Sequence, residues 1–204
     1  MNEPPPTPMN TLLLGSHPAI DFLNTSFAPD GKPVETIGDG QAFLDWITQV
    51  GLLEEPVVAR LRRRVGLKAC DATAAEARKI RQWAREWIGR WRTKPDADYG
   101  REIETLNKLL AHATFHRELV SGTGGLRIVD RNQIESPDAL LAVIAESIAA
   151  LISEESPSLV RACAGSGCTL WFLDRTRGHR RLFCSAAVCG NRAKVAAFRE
   201  RQRN

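Results

Sequence analysis

A chain of 204 residues with 43% hydrophobic and 25% charged side chains is too apolar for a disordered polymer, and it is long enough for one core plus an appended module. Its net charge of +4 is unevenly spread: residues 161–204 carry ten basic and two acidic side chains, +8, and the 18 basic and 22 acidic residues before them give −4. The longest apolar stretch, 139–152, is broken by Glu146 and Ser147 and falls short of the roughly 20 residues that cross a bilayer, so no membrane partner is expected.

In chain order, residues 1–10 hold Glu3 and four prolines and no basic run, which argues against a secretory leader and for a cytoplasmic protein. Residues 11–15 read as a short strand, and 17–25 as a helix opening with Pro18 at its first position. The prolines and glycines of 28–40, Pro29, Gly31, Pro33, Gly38 and Gly40, mark a loop. Asp39 then starts a helix with Phe43, Leu44, Trp46, Ile47 and Val50 on one face, ending at Gly51. A second short helix, 56–65, closes at Gly66.

The longest helix is expected over 73–92, where Ala77, Ile80, Ala84, Trp87, Ile88 and Trp91 recur at steps of three and four. Cys70 falls before it, as a small, partly buried residue without assigned chemistry. Residues 99–113 form the next helix, with Ile103, Leu106, Leu109 and Leu110 inward. Segments 115–120 and 126–130 flank a Gly-rich turn and read as a hairpin. Ser136 caps an Ala-rich helix over 137–153. The fold class is therefore mainly α (α+β): a helical domain with a small antiparallel sheet over residues 1–157, followed by a small cysteine-bearing module over 158–204.

Four of the five cysteines occupy one window, Cys163-x4-Cys168-x15-Cys184-x4-Cys189. Two close pairs can bring four thiolates to one tetrahedral Zn2+, and a reducing compartment disfavours the alternative of two disulfides. One structural zinc per chain is the expected cofactor, because a closed shell of four thiolates leaves no open position for catalysis; no enzyme activity is expected. Gly165 and Gly167 let backbone N–H groups turn toward the sulfurs. Leu170 to Leu173 read as a covering strand, and Ser185 as the cap of a helix that starts at Ala186 and takes Cys189 into its first turn.

The stretch from Cys184 through Cys189-Gly190-Asn191-Arg192 to Lys194, with Trp171-Phe172-Leu173-Asp174 and Arg180-Arg181 before it, resembles the CGNR zinc finger of bacterial proteins. Thr176 and Phe183 are mild departures from that pattern. The block Pro18 to Thr25, with Phe43-Leu44-Asp45-Trp46 and Gly51-Leu52-Leu53, is similar to the ABATE domain that precedes this finger. The resemblance implies a stress-associated transcription regulator with a nucleic-acid-binding finger.

Zinc and four thiolates would leave the tail near +6, a field that draws a polyanion. The expected nucleic-acid contacts are Arg175, Arg177, Arg180, Arg181, Arg192, Lys194, Arg199 and Arg201, with DNA favoured over RNA. Asn191 and Ser185 are assigned to holding the finger together; Arg192, beside Cys189, could do either. The helical domain is expected to sense a small-molecule ligand or to form a homodimer. An adaptor whose arginines meet an acidic protein, or an RNA-binding protein, is the alternative. His112 and His116, the Gly122 to Gly125 run and the tryptophans Trp83, Trp87 and Trp91 read as surface, turn and core.

Overall fold

The computed structural model describes residues 13–28 and 32–203. The proline-rich start, Thr11 and Leu12 of the expected first strand, and Pro29 and Gly31 of the expected loop lie outside them. Residues 13–15 form a turn and no strand, because Ser16 takes a left-handed conformation (φ 62°) that swings the chain into α1 (Pro18–Leu23). The Gly15 carbonyl still accepts a hydrogen bond from the Leu173 amide at 2.7 Å.

The loop between α1 and α2 contains a small ribbon that the sequence reading missed, β1 (Ser26–Phe27) paired with β2 (Val34–Glu35). Helix α2 (Gly40–Gln49) begins where Asp39 Oδ1 accepts from the Ala42 amide at 2.8 Å. Helix α3 (Glu55–Val65) stops at Gly66 (φ 81°), and α4 (Leu67–Thr93) starts at once. The longest helix therefore begins six residues before its expected start, and Cys70 lies buried in its first turn. There α2 crosses α4 so closely that a Cβ on Gly40 would sit 2.5 Å from the Asp71 nitrogen.

Helix α5 (Gly100–Leu110) buries Leu106 but leaves Ile103 half exposed, contrary to the inward placement expected for it. The hairpin β3 (Phe115–Gly122) and β4 (Gly125–Asn132) is tighter than expected, with a two-residue turn at Thr123 and Gly124. Helix α6 (Pro137–Glu154) is apolar nearly all round and is the element the others wrap, packing against α1, α4 and α5. Trp87 and Trp91 are buried and Trp83 packs on Trp87, which places all three in the core. Among the described residues no helix is long and apolar enough to cross a membrane.

Two buried charges fix α1 and the ribbon. Arg81 of α4 forks onto both Glu35 carboxylate oxygens and donates to Thr25 Oγ1 at 2.8 Å. Burial raises Glu35, but Arg81 outweighs it and holds the carboxyl below its usual range. Asp21 has no such cation: burial pushes its carboxyl up to about 6, against one lowering hydrogen bond from the Gly15 amide at 2.7 Å. A raised native pKa gives stability that is complete below about pH 4 and lost as pH climbs through 6, a difference of about 3 kcal/mol. Asp21→Asn keeps the acceptor for Gly15 and removes the titration. Urea unfolding should find variant and wild type alike near pH 4, with the variant more stable above pH 7; parallel profiles would show that Asp21 does not titrate in this range.

Candidate metal centre and nucleic-acid interface

After a short turn at Pro157–Leu159, β5 (Val160–Ala162) pairs antiparallel with β6 (Trp171–Leu173), the strand expected over the metal site. The four cysteine sulfurs lie within 4.8 Å of one another, three of the four residues buried. Cys184 Sγ stands 3.8 Å from Cys168 Sγ and 3.6 Å from Cys189 Sγ. A tetrahedron with Zn–S bonds of about 2.3 Å has sulfur–sulfur edges of about 3.8 Å, so the donor set fits one structural zinc.

The chemistry of the cluster asks for a cation. Accepting from the Cys184 thiol draws Cys168 down to about 5. The same hydrogen bond, with burial, drives Cys184 upward, and burial pushes Cys189 up to about 11. Four thiolates at this spacing repel one another, and Zn2+ is what lets all four ionise.

The sulfurs are also met by donors. The Gly165 and Cys184 amides donate to Cys163 Sγ at 3.4 and 3.3 Å, and Arg192 Nη2 approaches Cys189 Sγ at 3.6 Å. A Cβ on Gly165 would come within 3.2 Å of Cys189 Sγ, so the knuckle needs its glycine. Ser185 Oγ accepts from the Val188 amide at 3.2 Å. The helix expected from Ala186 opens as a wide π turn, Ala186–Gly190, which carries Cys189 inward before α7 (Asn191–Arg203) begins.

The basic residues divide by position. Arg181 points inward: it donates to the Phe183 carbonyl at 2.9 Å and the Leu14 carbonyl at 3.3 Å, and its guanidinium lies 4.2 Å from the Phe172 ring centre. Its expected place on a phosphate-binding surface gives way to a place in the finger's frame. Arg175 is ion-paired with Glu155, and Arg192 is turned to a ligand sulfur. Arg177 and Arg180, in the turn after β6, and Lys194, Arg199 and Arg201, on α7, are exposed. Asn191, assigned to holding the finger together, is exposed at the head of α7.

Asp174, which the sequence placed in the finger's motif without a role, organises that turn. It is fully buried and accepts from the Thr176 amide and hydroxyl and from the Arg181 amide. Burial raises its carboxyl, but these donors and Arg161 outweigh that and hold it below the usual range. Thr176 thus supplies the short hydroxyl the turn uses.

The finger is bolted to the helical domain. Asn24 pairs with the Trp171 backbone as a strand would, donating to its carbonyl at 2.8 Å and accepting from its amide at 2.9 Å. The Trp171 ring lies between Arg85 and Arg92 of α4, 4.7 Å from each, and rests on Gly89. Arg92 also donates to the Val160 carbonyl at 2.6 Å, and Arg85 to those of Leu23 and Thr169. Val160 and Leu173 belong to the core of the helical part.

Comparison with known proteins agrees with both halves of this geometry. The ABATE family model, described as "Putative stress-induced transcription regulator", matches residues 16–155, and the CGNR zinc finger model matches residues 160–202. No curated protein matches the chain.

Proposed function

We propose that this chain, which belongs to the ABATE family and carries a C-terminal CGNR zinc finger, is a transcription regulator that grips duplex DNA with its zinc-stapled tail. The observation that carries this reading is α7. It has no buried residue, it bears Lys194, Arg199, Arg201 and Arg203 against Glu200 alone, and it projects from the metal site. A helix of 13 residues without a packed face is marginal in water, and its own charge repels a second basic helix. A polyanion relieves both problems. The B-form major groove admits an α-helix, whereas the deep, narrow A-form groove does not, which favours DNA over RNA.

In this reading the metal has a structural role only and the protein is not an enzyme, because four thiolates leave zinc no position for water or substrate. Residues 1–157 form the regulatory part and 158–204 the contacting part, both acting in the cytoplasm. For the expected small-molecule ligand this reading takes a cleft of about 270 Å³ lined by Phe27, Pro33, Arg81, Arg85 and Thr169. It touches helical domain and finger alike, so a bound anion there would bear on how the two sit.

If Arg177, Arg180, Lys194, Arg199 and Arg201 each neutralise a phosphate, log K for duplex DNA falls with log[salt] at a slope of about −4.5. Replacing all five by glutamine should flatten that slope toward zero and leave zinc content unchanged. Absence of retardation of any duplex at low salt, or a slope indifferent to the five replacements, would refute the reading. Selection from random duplexes separates it from the adaptor alternative, in which no sequence is enriched.

A further inference from the structure

The hairpin stands away from the core. Of its sixteen residues only Val120 and Val129 are even half-buried. The register pairs Phe115 with Asn132, Arg117 with Asp130, Leu119 with Ile128 and Ser121 with Leu126. Because side chains alternate along a strand, these eight share one face. That face presents Phe115, Leu119, Leu126 and Ile128 at 60, 62, 73 and 66% exposure. Four large apolar side chains together on a two-stranded ribbon, itself marginal in isolation, are the mark of a contact surface.

We infer that this apolar face of the β3–β4 hairpin is a homodimer interface, closed by the same face of a second copy of the chain. The charges on the face select that occupant. Among the apolar side chains stand one cation and one anion, Arg117 and Asp130, directly across the ribbon at 3.5 Å. The face therefore has no net charge to attract DNA or an acidic protein. A two-fold axis running along the ribbon exchanges the strands, so Arg117 of each copy stands over Asp130 of the other and Leu119 over Ile128. A surface with these pairings is self-complementary, as an isologous contact requires.

The size of the face sets the strength. Strands of eight residues span about 27 Å, and two of them with their side chains are about 10 Å wide. The accessible surface buried is on the order of 400 Å² per copy, below the roughly 800 Å² of a standard interface. An interface of that size makes a weak dimer whose population depends on concentration. It stands apart from the DNA reading, although a two-fold pair of fingers suits half-sites of two-fold symmetry.

Sedimentation of the zinc-loaded full chain tests the inference. The wild type should shift from one to two chains per particle between about 1 and 300 μM. Leu119→Lys with Ile128→Lys should hold it at one chain throughout, with helix content, melting and zinc content unchanged, since neither side chain serves the core. Arg117→Asp and Asp130→Arg should each weaken self-association about tenfold or more, and mixing the two variants should restore pairing. A wild type that stays monomeric, a double lysine variant that still dimerises, or single variants that fail to complement each other would each overturn it.

Discussion

Replacing Cys184 by serine is expected to abolish zinc retention and unfold the tail, leaving the helical domain folded. Little else holds the chain together within the cysteine module itself. Its own buried cluster consists of Leu170, Phe172 and three of the cysteines, too small a core to offset the entropy of ordering the tail. A structural zinc in such a module is worth on the order of 10–16 kcal/mol, and losing one of four ligands forfeits most of it. The helical domain draws most of its core from α1 to α6, with Val160 and Leu173 packed into it, and that core contains none of those cysteines. Amide exchange should therefore show protection lost in β5, β6 and α7 and kept in α2, α4 and α6. Cys70→Ser, a change in α4 outside the cluster, should leave zinc at the wild-type level. A Cys184→Ser protein that keeps its zinc and its protected tail would remove the metal from the explanation of the fold.

The second large effect is expected at Asn24. Its amide satisfies both the N–H and the C=O of Trp171, so Asn24→Ala strands two backbone groups at the junction. Each buried group left unpaired costs about 1–3 kcal/mol, which puts the whole substitution near 3 kcal/mol or more. Asn24→Asp should be no better, because a carboxylate facing the Trp171 carbonyl repels it. The loss should fall on the junction: a lower denaturation midpoint and faster exchange in β6, with zinc stoichiometry intact. Unchanged exchange at Trp171 to Leu173 would mean that Arg85, Arg92 and the core contacts of Leu173 hold the finger without Asn24.

These two sites differ in how readable they were. The metal ligands were legible because cysteine pairs at short spacing are a local pattern, and the expected tetrahedron followed from residue type alone. Helices α2 and α6 were legible for the same reason, their caps Asp39 and Ser136 lying within three residues of the amides they serve. The start of α4 was not, because Gly66 ends one helix and admits the next with no residue between them, so 67–72 looks like a tail. The Asn24–Trp171 pairing spans 147 residues and leaves no periodic trace. Its only sign was that Asn24 belongs to the Pro18 to Thr25 block by which the domain was recognised.

Charge was readable as a total and misleading residue by residue. The excess on 161–204 stands, but it does not say which arginines face out. Arg181 follows Arg180 directly, yet one is held by Asp174, Phe183 and Leu14 while the other is exposed. A guanidinium can serve carbonyls and an aromatic face as well as phosphate, and only the folded neighbourhood decides. The hairpin shows the same limit for apolar residues. Alternation marked its strands, but nothing local told that the side bearing Phe115, Leu119, Leu126 and Ile128 would face away from the core.

The cationic surface of α7 depends on the metal that anchors the helix at Cys189. X-ray absorption at the zinc edge of the purified full chain tests that dependence most directly. One zinc per chain with four sulfur neighbours at about 2.3 Å is the expected result. A coordination shell containing nitrogen or oxygen, or metal content below roughly 0.2 per chain after gentle purification, would contradict it.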